Sequence, residues 1–372
     1  MNIRFALAAA AAVLAACSGP TGPQPATLTP IERGTEPKVL WSARTGDGYP
    51  YVFSPAFADG AVYAAARDGT VMRFDAANGD RAWSVSAGPR LSGGVGTDGR
   101  VVAVANEDGE VIALDAANGK KLWSARVSSE VIAAPAVGAD MVLVRSIDNR
   151  VAAFGAQDGK RRWVYQRSPA SLIIRTPSGI TIDGDMAFAG FAGGKLAAIA
   201  LANGGVRWEA TVALPKGATE LERVSDVVGS PAVQEREVCA ATYQGRVGCY
   251  ESATGRQVWA RDISSLTGVS LDARYAFVSD EKGAVQAFDR TNGRSVWKQD
   301  KLAYRQLSLP QPYGEVIAVG DFEGYVHLLA RETGAFIGRY ATGNGPVRAA
   351  PRPIPGGLLV ETQSGAMYAL GL

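Results

Sequence analysis

Short apolar runs alternate with glycine- and acid-rich punctuation along this chain, and one spacing repeats over most of its length. Take as index a turn residue, in order Gly69, Gly109, Asn149, Gly194, Gly245, Gly283, Gly324 and Gly365. Two positions later stands an apolar side chain: Val71, Val111, Val151, Leu196, Val247, Val285, Val326 or Met367. Five positions later stands another, from Phe74 and Leu114 to Leu329 and Leu370, and ten later a glycine, from Gly79 and Gly119 to Gly334. Fourteen later comes Trp83, Trp123, Trp163, Trp208, Trp259 or Trp297, with Gly338 breaking the series. Fourteen before the index lie Pro55, Val95, Pro135, Ile180, Pro231, Val269, Pro310 and Pro351.

Each position has a physical reason. The index residue sits in a hairpin turn that needs a positive φ, so glycine is favoured and asparagine tolerated. Runs such as Val71–Phe74 and Val285–Phe288 have the length and composition of short strands. The Asn-Gly or Thr-Gly pair ten residues on marks a second hairpin, and proline suits the first residue of a strand. Each cassette of about 40 residues thus predicts a four-stranded meander ending in an outer strand that carries an indole, the pattern of a propeller blade. Seven cassettes run from Pro55 to Gly338, and an eighth begins at Pro351 but stops at Leu372 without its outer strand. Lys38-Val39-Leu40-Trp41, ahead of the first cassette, supplies the missing strand. The expected fold is therefore all-β: an eight-bladed β-propeller of four-stranded antiparallel blades over residues 38–372, closed by its N-terminal strand. Closure leaves no open edge, whereas an open solenoid would leave two half-blades unpaired.

Composition narrows the function. The 372 residues hold 38 Lys plus Arg against 36 Asp plus Glu, a formal charge of +2, so no nucleic-acid partner is expected. One histidine and three unclustered cysteines do not supply a zinc or haem ligand set, and His327 reads as a strand residue. No apolar run reaches the roughly 18 residues that span a bilayer.

Residues 1–16 read as an export signal, with Arg4 as the positive region and Phe5–Ala16 as an uncharged apolar run. Leu14-Ala15-Ala16-Cys17 resembles the bacterial lipobox. That resemblance implies cleavage before Cys17, a diacylglycerol thioether on its sulfur and an acylated amine; an ordinary secretory signal with a chance cysteine is the alternative. Ser18 looks like outer-membrane sorting. Losing residues 1–16 removes Arg4 and no acid, so the charge falls from +2 to +1. Residues 17–37, with Pro20, Pro23, Pro25, Pro30 and Pro37, read as a lipidated N-terminus and flexible tether reaching roughly 25 Å as a coil. Three acyl chains exceed the two signals that stable anchoring takes.

Ala116–Trp123, Ala76–Trp83 and Thr291–Trp297 resemble the tryptophan-docking motif of propellers related to quinoprotein dehydrogenases. By that resemblance Trp41, Trp83, Trp123, Trp163, Trp208, Trp259 and Trp297 are structural docking residues between blades. Those enzymes bind pyrroloquinoline quinone with calcium, and many join adjacent cysteines. This chain has no Cys-Cys pair, is much shorter, and marks no acid or amide cluster for a metal-bound quinone. No catalytic residue, cofactor or metal is expected. Cys239 and Cys249 lie equally far from Gln244. A three-residue loop there sets them opposite each other for a cross-strand disulfide in an oxidising compartment; a two-residue loop shifts the register and leaves two buried thiols.

Insertions fall only between blades. The connectors 42–54, 84–94, 124–134, 164–179, 209–230, 260–268, 298–309 and 339–350 have lengths 13, 11, 11, 16, 22, 9, 12 and 12. Every connector joins an outer strand to the next inner strand, so all are expected on one face, where the two longest form one enlarged patch suited to binding. Leu172-Ile173-Ile174-Arg175 places three aliphatics and a cation in one, and Glu220-Leu221-Glu222-Arg223-Val224-Ser225-Asp226 runs through the other. With the lipobox, the tryptophan motifs, Arg305 and Gly320–His327, these loops resemble the BamB family, lipoproteins of the outer-membrane barrel-assembly machinery, over nearly the whole mature chain. In that family a Leu-x-Leu-Arg stretch and an acidic Ser-Asp-Val-Asp stretch help contact the periplasmic POTRA domains of BamA, the barrel insertase. The resemblance carries this over to Leu172, Ile174 and Arg175, and to Asp226; Val228 stands where a second Asp is frequent. Ile173, Glu220 and Arg223 complete the expected partner-binding set. The function expected is a non-enzymatic scaffold, lipid-anchored at the outer membrane and facing the periplasm, that binds BamA and aids barrel proteins, its unfolded clients among the partners. The rival is a periplasmic lipoprotein propeller binding peptidoglycan, sugar or another protein through its channel.

Overall fold

The computed structural model describes residues 22–31, 34–88, 90–168 and 172–372; the signal segment 1–16 and Cys17 lie outside them. Among the described residues, strands pair into eight antiparallel sheets of four. Blades one to seven each use four consecutive strands, beginning with Ala56–Ala58, Ala61–Ala65, Thr70–Asp75 and Arg81–Ser86. The eighth sheet joins Arg352–Ile354, Gly357–Glu361 and Ala366–Gly371 to the N-terminal strand Lys38–Arg44.

The closing strand repeats the geometry of every other outer strand. In blade one the register skips a residue so that Trp83 faces Arg73 while Arg81 faces Phe74. The same bulge precedes Trp123, Trp163, Trp208, Trp259, Trp297 and Gly338. It recurs in the closing strand, where Val39 faces Leu370 and Trp41 faces Ala369. A bulge adds local twist and re-aims the side chain beside it.

That side chain is the indole. Each tryptophan Nε1 donates to a backbone carbonyl of the following blade at 2.5–3.1 Å: Trp41 to Ala76, Trp83 to Ala116, Trp123 to Ala156, Trp163 to Leu201, Trp208 to Ser252, Trp259 to Arg290 and Trp297 to Arg331. Beneath each ring lies the glycine ten after the index. A Cβ at Gly255 would stand 2.6 Å from the Trp208 ring, and one at Gly79 2.7 Å from Trp41. These glycines therefore serve as docking floors as well as turn residues. Gly338 has no indole because the outer strand of blade eight is not joined to its neighbour by a hairpin, so no glycine floor exists for it.

The apolar core lies between blades. Tyr63, Ala65 and Val71 of blade one pack with Val102, Val104 and Ile112 of blade two. Trp41, Leu359, Met367 and Ala369 of blade eight pack with Val62, Ala64, Met72 and Phe74 of blade one. Inner strands such as Ala61–Ala65 are wholly buried and rich in alanine, while the outer strand Arg81–Ser86 is mostly exposed. Small residues near the axis suit a ring whose sheets converge there.

Three details depart from or complete the sequence reading. The index turns have positive φ at seven positions, but in blade five Gln244 (φ 47°) takes that role and Gly245 does not. The loop there has three residues, Cys239 pairs with Cys249 in register, and the two are disulfide-bonded with Cα atoms 4.0 Å apart. The third concerns the segment 17–37, whose described part is held rather than loose. Ala26 N–H donates to the Ala303 carbonyl at 2.8 Å and Thr35 N–H to Ile337 at 2.9 Å. Arg305 donates to the Ala26 carbonyl at 3.0 Å and Arg339 to Thr29 at 3.2 Å, while Leu28 packs on the cluster that holds Trp297, Leu302 and Phe336. A proline-rich segment offers unpaired carbonyls, and these two arginines take them.

Candidate partner-binding surface

Within each blade the index turn and the outgoing connector share one face, as Gly69 with Ala87 and Gly109 with Val127, so all connectors gather there. Leu172 and Ile173 are exposed by 44% and 38%, Ile174 is half-buried and Arg175 exposed. Residues 169–171, just before them, lie outside the described residues.

The loop rests on a polar base. Asp226 is only 5% exposed. One of its oxygens accepts from Ile174 N–H at 2.8 Å, the other from Gly193 N–H at 3.2 Å. Burial raises its carboxyl above the usual aspartate range, opposed by those two N–H groups and by Arg145. Arg145 lies beneath, its guanidinium pulled down to about 10 by burial against the pull of Asp226 and stacked 5.6 Å from the Phe191 ring. Asp226 therefore corrects the expectation of a partner contact: it faces inward and ties the two long connectors together. A carboxylate aimed at two backbone N–H groups is a positioning device.

Arg175 reaches across the face to two other connectors. Its guanidinium pairs with the Glu130 carboxylate and lies 3.4 Å from the Tyr51 hydroxyl, over whose ring it sits at 5.9 Å. Tyr51 donates to Glu130 at 2.9 Å. Burial first, and then that bond, pushes the Tyr51 hydroxyl up to about 12, so it remains a donor at every physiological pH. Arg175 still has 57% of its side chain exposed and presents unused N–H groups outward.

The longer connector is organised locally. Thr219 and Glu222 form a capping box: Thr219 Oγ1 accepts from Glu222 N–H at 3.2 Å, and the Glu222 carboxylate accepts from Thr219 N–H at 3.1 Å and Ala218 N–H at 2.7 Å. These backbone bonds hold the Glu222 carboxyl below its ordinary value. With its amide nitrogen turned toward the loop, Gln244 stands 3.1–3.2 Å from the carbonyls of Leu221, Glu222 and Val224. The result is a single pinned turn that displays Leu221, 72% exposed, with Glu220 and Arg223 exposed beside it and Leu214 at 64%. The sequence reading omitted Leu214 and Leu221 from the site. Their signal was a lone leucine among prolines and charges in a connector, where burial is not available.

The described surface thus combines exposed aliphatics, the cations Arg175 and Arg223, and a rigid base. Among the described residues, no three His, Cys, Asp or Glu side chains stand together as a metal site.

A family model described as outer membrane protein assembly factor BamB matches residues 34–89 and 67–299. The outer membrane protein assembly factor BamB of Bordetella pertussis is 43% identical over 345 residues, 92% of this chain and 89% of that protein. The chain belongs to the BamB family. The BamB proteins of Burkholderia pseudomallei and Pseudomonas aeruginosa are 39% and 42% identical, each over 98% of this chain and at least 96% of their own length. The crystal structure of BamB from Moraxella catarrhalis superimposes with a TM-score of 0.82 at 26% identity, covering 90% of this chain and all of that one. A quinohemoprotein alcohol dehydrogenase from Comamonas testosteroni reaches 0.69 at 14% identity, a likeness of fold alone.

Proposed function

We propose that this BamB-family chain is a non-catalytic scaffold of the outer-membrane protein assembly machinery. It is anchored through lipidated Cys17 in the inner leaflet of the outer membrane, faces the periplasm, and binds the POTRA domains of BamA to assist insertion of barrel proteins. The observation that supports it best is the pre-organised patch. Leu172 and Ile173 stand exposed on a loop whose backbone is held by a buried carboxylate, and exposed aliphatics on a rigid base are the ordinary material of a binding anchor. Leu172 and Ile173 supply apolar contact, Arg175 donates to carboxylates or carbonyls, and Glu220 and Arg223 form a polar rim. Binding costs less ordering entropy when the loop is already fixed.

Leu172→Ala with Arg175→Ala should abolish co-purification with BamA from solubilised membranes. The thermal midpoint should stay within about 3 °C, since an exposed pair contributes about 1 kcal/mol or less. Unchanged co-purification would remove the docking assignment. Asp226→Asn tests the base separately. It should weaken capture roughly tenfold and speed amide exchange at Ile174 and Gly193, whereas a direct contact residue would leave that exchange as it is.

A further inference from the structure

The segment before the closing strand is bound to the ring at two stretches, Ala26–Ile31 and Gly34–Thr35. At the upper stretch Arg305, 3% exposed, donates to the Ala26 carbonyl while bonding Asp321 at 2.7 Å and pairing with Glu323. Asp321 also accepts from the buried His327 Nε2 at 2.9 Å, and His327 Nδ1 accepts from Arg339 at 3.0 Å. Arg339 in turn holds the Thr29 carbonyl. At the lower stretch the Thr35 carbonyl lies against Gly338, where any Cβ would collide with it. The one outer strand without an indole is therefore covered by the chain's own N-terminal segment.

This changes the tether. Ala303 lies in a connector, so Ala26 leaves the ring on the connector face beside blades six and seven. Ala26 then lies only nine positions after Cys17, whereas Lys38 lies 21 positions after it. Nine residues reach at most about 30 Å extended and roughly 17 Å as a coil. The rim at that exit carries Tyr304 and Leu266, 39% and 42% exposed. Exposed Lys282 and Lys301 alternate there with exposed Glu281 and Asp300, so the patch has no net charge. Tyrosine with lysine suits the polar–apolar boundary of a bilayer.

We propose that the bound stretches Ala26–Ile31 and Gly34–Thr35 make the rim of blades six and seven, on the connector face, the part of the ring held against the lipid surface. This rests on the reading of Cys17 as the lipid anchor. Attraction comes from the short tether and the apolar tips, with no help from charge.

The test uses the mature lipidated chain in vesicles of phosphatidylethanolamine and phosphatidylglycerol that carry nitroxide headgroups. Single labelled thiols are placed by Tyr304→Cys, by Ser128→Cys on the same face across the ring, and by Asp185→Cys on the opposite face. Quenching at 304 should exceed that at 128 and 185 at least twofold. Ala26→Pro with Thr35→Pro removes both strap N–H donors without touching a blade, and should bring the three labels to within about 30% of one another. Equal quenching in the unaltered strap, or greater quenching at 128 or 185, overturns the proposal. Amide exchange separates the causes of failure. Fast exchange at Ala26 and Thr35 in the parent chain refutes the strap and leaves the scaffold reading standing; slow exchange in a chain that does not join the vesicles refutes the lipid anchor, and this proposal with it.

Discussion

Replacing Trp41 with alanine should lower the unfolding free energy by about 3–5 kcal/mol, although the residue lies only four positions into the ordered ring. Trp41 is 7% exposed, donates to Ala76 at 2.9 Å and covers Gly79, so it locks blade eight to blade one. Among the described residues it also belongs to the only strand that joins the beginning of the chain to its end, pairing from Lys38–Gly371 to Arg44–Ala366. Losing the indole therefore weakens a blade junction and the closure together. Urea unfolding should remain a single transition moved to lower midpoint, because every blade depends on its neighbours. Gly79→Ala should act in the same direction, since its Cβ would enter the indole and its φ of 77° disfavours a side chain. Removing residues 38–44 should go further and abolish the cooperative transition, exposing the edge of Ala366–Gly371. A Trp41→Ala midpoint equal to that of the parent chain would show that closure contributes no stability.

The second large effect is a dependence on pH. Glu361 is 4% exposed, at the end of an inner strand of blade eight. Thr45, from the opposite end of the chain, donates to its Oε1 at 2.6 Å, while Oε2 is buried without a partner. Burial pushes this carboxyl from 4.5 to about 8, against the effect of the Thr45 bond. Arg348 and Tyr51 line the same small cavity. The folded chain thus keeps the acid neutral where the unfolded chain ionises it. Between those two values the native state binds the extra proton, so stability falls as pH rises, by about 1.4 kcal/mol per unit at most. The full stability is present below the unfolded value, and the loss is complete above the folded one. Glu361→Gln should flatten this slope and raise stability near pH 8 by roughly 3–5 kcal/mol, read from urea midpoints at pH 5, 6.5 and 8. A parent profile with no downward slope attributable to Glu361 would mean the carboxyl is hydrated rather than buried.

Both effects arise at the seam where the two ends of the chain meet, and the two halves of that seam differ in how they are written. Trp41 was readable because it is the last copy of a local rule. The turn glycine and the indole are fixed by spacing within one cassette, each indole docks on the glycine of the next cassette along the chain, and the same rule recurs around the ring. Glu361 was not readable. Its residue type says exposed and ionised, and only the approach of Thr45 and the closing of the ring over it make it neutral. Asp226 shows the same division inside the site. Its place in a long connector was evident, but the sequence suggested a charge offered to a partner, and the fold turned it inward to hold Ile174 and Gly193.

The amino-acid sequence alone determined the all-β class, the number of blades, the closing strand and the connectors that would carry a surface. All of these follow from periodicity, which is a sum of short-range preferences repeated until chance is excluded. The tertiary structure decided which polar groups are buried, which leucines are left outside, and where the N-terminal segment lies. Those depend on contacts between residues far apart in the chain, such as Thr45 with Glu361, 316 positions away. Such contacts exist only after the ring has closed, because desolvation and hydrogen-bond partners are properties of a place in space and not of a position along a chain.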